Sequence, residues 1–142
     1  MPRHRESLVW KVVCVSGELF SNDMTRLVLE KMIFLGKKIE VFDIKSIDEA
    51  RKIFKKTKDI ALLLIDIDHD KSEGYKFIHD IRDKYHNHRV KVVLRTGYPV
   101  TLPCKTEIEN YNIDGYIPNE VITEAQIEIT VMTALRGYHQ LI

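Results

Sequence analysis

Five apolar runs alternate with five stretches of helical character along the chain. The first run, 8–15, is rich in Val and breaks at Ser16-Gly17. Apolar side chains at Met24, Val28, Met32 and Leu35 then recur close to a 3.6-residue period, which predicts a helix over 21–35. Gly36 stands where a helix C-cap glycine belongs. A second strand is predicted at 39–44. Ser46-Ile47-Asp48-Glu49 has the S-x-x-E form of a capping box and opens a helix with Ile47, Ala50, Ile53 and Phe54 on one face.

The third run, 60–65, is apolar at every position, as suits a central strand covered on both faces. A polar segment, 66–73, ends it, and a third helix is predicted from near Gly74, burying Ile78, Ile81 and Tyr85. A fourth strand at 90–94 leads through a loop-like stretch, 98–103, into a weakly patterned helix at 105–110. A short fifth strand, 113–117, is stopped by Pro118. Thr123 to Gln126 carries a second capping signal, and Ile127, Val131, Leu135 and Tyr138 line the last helix. Strand–helix alternation of this kind predicts a three-layer α/β sandwich, a parallel sheet with right-handed crossovers and helices on both faces. In such open sheets ligands bind beyond the carboxyl ends of the strands. Attention therefore falls on Ser16-Gly17-Glu18, Asp66-Ile67-Asp68, Thr96-Gly97 and Asn119-Glu120.

Composition narrows the function class. At 142 residues the chain suits one domain, 1–142, either whole or the front of a longer signalling protein. Twenty-two Lys and Arg against 21 Asp and Glu leave a net charge of +1, unlike the basic stripe of a nucleic-acid binder. The longest apolar run is six residues, far short of the ~20 that span a membrane. The polar N-terminus carries no signal-peptide pattern, so a cytoplasmic location is expected. Cys14 and Cys104 have no CxxC spacing, and the scattered histidines form no HxxxH or HExxH pattern.

With the strand ends laid out, the chain resembles a response-regulator receiver domain (CheY-like) over nearly its full length. Asp66 closes the central hydrophobic strand, where receivers place their phosphoacceptor. Val92-Val93-Leu94-Arg95-Thr96-Gly97 is similar to the receiver's fourth strand with its switch threonine, Thr96. Asp114-Gly115-Tyr116-Ile117 is similar to the fifth strand with its switch aromatic, Tyr116. The run Val93 to Pro99 and the closing Ala134-Leu135-Arg136-Gly137-Tyr138 resemble receivers that precede cyclic-di-nucleotide phosphodiesterase domains. The resemblance implies a flavodoxin-like, five-stranded sheet ordered 2-1-3-4-5.

Three signature positions depart from that pattern. Receivers hold Mg2+ with two adjacent acids after the first strand; Ser16 and Gly17 stand there. They contact the phosphoryl oxygens with a lysine after the fifth strand; Asn119 stands there, followed by Glu120. Phosphoryl transfer is catalysed almost entirely by positioning and charge stabilisation, and Mg2+ demands near-octahedral oxygen ligation. Asp66 alone is a poor metal site. The cofactor expectation is therefore none, or a weakly held Mg2+ on Asp66 with Glu18 and Asp68. Losing one preorganised donor commonly costs ~3–4 kcal/mol of transition-state stabilisation.

The resemblance thus implies a degenerate receiver, or pseudo-receiver: a non-enzymatic module of a bacterial two-component phosphorelay, signalling through surfaces. Its expected partners are a histidine kinase, an output domain or a second copy, the last through the fourth helix, fifth strand and fifth helix. Other readings of the same residues stand beside it. Strand-end aspartates often cap the following turn, and the acidic loop Asp66 to Asp70 with His69 suits a solvated turn. Asp66-x-Asp68 is also similar to the nucleophile motif of haloacid-dehalogenase phosphatases, with Thr96 as second motif. Those enzymes need a later acidic pair, and no adjacent acids follow Asp70.

Overall fold

A computed structural model describes residues 8–16, 23–68, 71–96, 105–118 and 123–141. In chain order the elements are β1 (Val9–Val15), α1 (Asp23–Lys31), β2 (Ile33–Phe34), β3 (Lys37–Ile44), α2 (Ile47–Lys56), β4 (Ile60–Asp66), α3 (Lys71–Asp83), β5 (Lys91–Thr96), α4 (Lys105–Tyr111), β6 (Gly115–Pro118) and α5 (Glu124–His139). The sheet runs β2-β3-β1-β4-β5-β6. All its pairings are parallel except β2 with β3. The five predicted strands therefore appear in the expected order, and a two-residue edge strand is added.

That sixth strand corrects the first predicted helix. Instead of running to residue 35, α1 ends at Lys31, and Ile33 and Phe34 pair with Lys38 and Lys37. Leu35 and Gly36 form the two-residue turn between them, with φ of 49° and 77°. Positive φ at both central positions is what a type I′ hairpin requires. Gly36 is thus a turn glycine and not a helix cap. The β-branched and aromatic pair before it favours the strand. A second correction extends β3 back to Lys37, and a third starts α3 at Lys71, earlier than Gly74. Tyr85 lies past the end of α3 and is only half-buried. Ile113 and Asp114 precede β6, where they pack and hydrogen-bond without joining the ladder.

Every residue of β4 is buried, so this strand carries the centre of both cores. Leu62 and Leu64 face one core with Val12, Cys14, Val93 and α1 and α5 residues such as Leu29 and Leu135. Leu63 and Ile65 face the other with Val13, Val92, Leu94, Phe54 of α2 and Phe77 and Ile78 of α3. This split is the period-two alternation of a strand sandwiched between helix layers. At ~25 cal/mol per Å2 of apolar area removed from water, each such Leu or Ile contributes roughly 1.5–3 kcal/mol.

The starts of α2 and α5 follow their sequence signals. The Ser46 hydroxyl accepts from the Glu49 N–H at 3.2 Å. Thr123 and Gln126 form a reciprocal capping box at the start of α5. Among the described residues, no helix is long and apolar enough to cross a membrane.

Candidate functional site

Strands β1, β4 and β5 end together, and their last residues are buried although polar. Ser16 is 3% exposed, Asp66 8%, Arg95 7% and Thr96 fully covered. Burying polar groups at this density is costly unless partners are supplied. Ser16 follows β1, and its N–H donates to Ile44 O at 3.2 Å, continuing the ladder to β3. Its hydroxyl is enclosed with no hydrogen-bond partner among the described residues.

Asp66 ends β4 and turns the chain. Its Oδ1 accepts from the Asp68 backbone N–H at 2.8 Å, an Asx-type turn. The Thr96 hydroxyl donates to Asp68 Oδ1 in a short hydrogen bond across to β5. The Ile67 N–H donates to Arg95 O at 3.1 Å, which extends the β4–β5 pairing past Asp66. Both carboxylates and the threonine are thereby engaged within the protein.

Arg95 is the residue that the sequence reading passed over. It sits in register with Asp66 on the adjacent parallel strand, so the two side chains leave the sheet on one face. Its Nη1 donates to the Thr25 hydroxyl of α1 at 2.8 Å, and Thr25 is 2% exposed. Burial pushes the guanidinium pKa down, while the charges of Cys14 and then Asp66 pull it part of the way back up. Cys14, on the same face, has its thiol pushed up to about 12, mainly by burial. An arginine directly after the apolar run Val92-Val93-Leu94 was the available signal, but only the strand register tells which acid it is level with.

The predicted residues are brought together unevenly. Ser16, Asp66, Asp68 and Thr96 meet at the strand ends. Tyr116 pairs in register with Leu94, whereas Thr96 is level with Pro118. The Tyr116 side is an outer one, 38% exposed. Gly17, Glu18 and Asn119 lie outside the described residues, as do Glu120, His69 and Cys104. Among the described residues, no group of three or more His, Cys, Asp or Glu could hold a metal ion. Among the described residues the surroundings of Asp66 are not a cluster of carboxylates: Arg95 is its register partner on β5, and the Asp68 carboxylate accepts from Thr96. Nor does the arrangement add, among these residues, the acidic pair that the phosphatase reading needs.

No family model matches the chain. It is 31% identical over 133 residues to a 3'3'-cGAMP-specific phosphodiesterase 2 of Vibrio cholerae. That match takes in 93% of this chain but spans only about a quarter (26%) of the relative's length. Solved structures resemble it over most of its length. A response regulator receiver domain protein (CheY-like) from Methanospirillum hungatei has a TM-score of 0.71 at 18% identity, covering 94% of this chain and 99% of its own. One from Clostridium thermocellum has a TM-score of 0.72 at 16% identity, covering 94% and 100%. The signal receiver domain of an HD domain-containing protein from Pseudomonas fluorescens has a TM-score of 0.70 at 13% identity, covering 99% and 97%. The chain has the fold of CheY-like receiver domains.

Proposed function

We propose that the chain is a receiver-like, non-catalytic signalling module of a two-component or related pathway, and that it signals through protein contacts without phosphorylation of Asp66. The observation that supports this most is the company Asp66 keeps. Ser16, Arg95 and a Thr96-bound Asp68 surround it, where metal-assisted aspartyl phosphorylation calls for clustered acids. Asn119, at the position of the receiver lysine, brings no cation.

The similarity to a cGAMP-specific phosphodiesterase, confined to about a quarter of that protein, supports a regulatory role beside a cyclic-dinucleotide hydrolase. In this reading the chain supplies none of the hydrolytic chemistry. Its partners are proteins: an output domain, a second copy, or a histidine kinase bound without phosphotransfer. The face made by α4, β6 and α5 suits such contacts. It exposes Ile108, Tyr116, Ile129 and Met132 by 38–64% around a shallow cleft of about 210 Å3 lined by Tyr116, Pro118, Gln126 and Ile129. A dimer through this face should dissociate in Ile129→Glu, read by sedimentation equilibrium. A monomer at every concentration removes the homodimer.

The phosphorylation claim is tested by incubation with acetyl phosphate and Mg2+, followed by intact mass. The expected result is an unchanged mass. Rapid gain of one phosphoryl group, absent in Asp66→Asn, overturns the reading.

A further inference from the structure

The structure assigns Arg95 a second role: it is the resident counter-cation of Asp66, and it makes the strand-end site charge-balanced without a metal while tying that site to α1. This rests on the reading of the site as a degenerate receiver centre. The placement follows from backbone pairing. Residues Asp66 and Arg95 are register partners on neighbouring parallel strands, whose separation is about 4.8 Å. Both side chains leave the face that also carries Leu64 and Val93. Both are more than nine-tenths buried.

A buried guanidinium needs an anion and hydrogen-bond acceptors, or its desolvation goes uncompensated. Thr25 supplies one acceptor at 2.8 Å. The Cys14 thiol on the same face is neutral at pH 7, being pushed up to about 12. With that thiol neutral, the register partner Asp66 is the carboxylate whose charge raises the Arg95 pKa against burial. A divalent cation placed at Asp66 would sit beside this fixed positive charge, in a region of low dielectric where like charges repel most. Three described polar groups at the rim are already committed: Asp66 Oδ1 to the Asp68 N–H, Asp68 Oδ1 to Thr96, and Arg95 Nη1 to Thr25. Arg95 acts through Asp66 and is a positioning residue.

The test combines metal titration with melting of the full chain. By isothermal titration with MgCl2, the wild type and Arg95→Lys should show no saturable binding. Arg95→Met should acquire binding about tenfold tighter or more, the effect of removing one nearby like charge, and Asp66→Asn in that background should abolish it. Where Arg95→Met does not fold, the isosteric Asp66→Asn decides alone. In a site of repelling acids, neutralising one raises the melting temperature. Here it should lower it, because Arg95 loses its counter-charge. A melting temperature that rises or stays put in Asp66→Asn overturns the role of Arg95 and leaves the proposed function standing. Saturable Mg2+ binding by the wild type that Asp66→Asn removes overturns both.

Discussion

Replacing Arg82 with Met tests how the loops beneath the sheet hold the strand ends in place. Arg82, near the end of α3, is 4% exposed. Its Nη1 donates to Val90 O at 2.6 Å and Asn87 O at 3.2 Å, and its Nη2 to Asn112 O at 2.9 Å and Asp114 Oδ2 at 3.4 Å. One guanidinium thus joins the segment before β5 to the segment before β6. Asp114 completes the clamp, accepting from the Val92 N–H at 2.8 Å. Burial lowers the pKa of Arg82, and the Asp114 charge partly restores it. Met keeps most of the stem volume, so the loss is polar and not a cavity. Removing one partner from a buried ionic network costs ~3–5 kcal/mol. Asp114 is 28% exposed at its side chain and regains some water, which places the expected loss near ~3 kcal/mol. For a chain of this size that is a fall in Tm of about 10–15 °C. Arg82→Lys should fall in between, since a point-like ammonium reaches one segment but not both. Differential scanning calorimetry and urea denaturation measure both variants. A fall of less than about 4 °C for Arg82→Met, or a Lys variant as stable as wild type, would refute the clamp.

Other consequences are as direct. Leu35 is 53% exposed with φ of 49° beside Gly36, so Leu35→Asn should stabilise by ~0.5–1 kcal/mol by supplying the Asn-Gly pair that type I′ turns favour; an unchanged urea midpoint counts against the turn assignment. Cys14, 1% exposed with its pKa pushed up to about 12, should resist thiol reagents until the chain unfolds, as read in Cys104→Ser; fast native-state modification contradicts its burial. The Arg51 hydrogen bond at 2.7 Å holds the Asp80 carboxyl below the usual carboxylate range. Its stabilising contribution is therefore complete above the unfolded value of about 3.9 and lost as pH falls through the lower folded value. Asp80→Asn should cost up to ~1 kcal/mol at pH 7, a gap that narrows below about pH 4; a gap that widens in acid contradicts the pairing.

Much of the architecture was readable because burial on two faces leaves a continuous apolar run. Residues 60–65 announced the central strand in that way, and every residue of β4 is buried. Thr123 and Gln126 announced α5 through capping chemistry that is local in sequence. What failed was a place where two local signals overlapped. Met24, Val28, Met32 and Leu35 keep a helical period, yet Ile33-Phe34 followed by Leu35-Gly36 is also a hairpin. The sheet edge decides between them through backbone pairing that periodicity does not encode. Leu29, fully buried in α1, was missed for the same reason, because the helix face was drawn through Leu35.

The site was legible to the extent that its residues close strands. Asp66 and Thr96 could be placed from the apolar runs before them. Arg95 and Thr25 could not, since their contact joins residues 70 apart in sequence and depends on how α1 crosses the sheet. Arg82 escaped notice likewise, its acceptors lying in loops before two different strands. Trp10 is 2% exposed near the start of β1, packed by Phe34, His139 and Lys37. Six residues of strand, about 20 Å, separate it from Ser16, so Trp10 fluorescence is a poor monitor of events at Asp66.

The central claim is that Asp66 is not a working phosphoacceptor, and amide NMR of the labelled chain with Mg2+ and beryllofluoride tests it at the residues concerned. The account predicts that the Ile67, Asp68 and Thr96 amides stay where they are, in wild type and Asp66→Asn alike. Saturable shifts at these amides in the wild type that vanish in Asp66→Asn would contradict it.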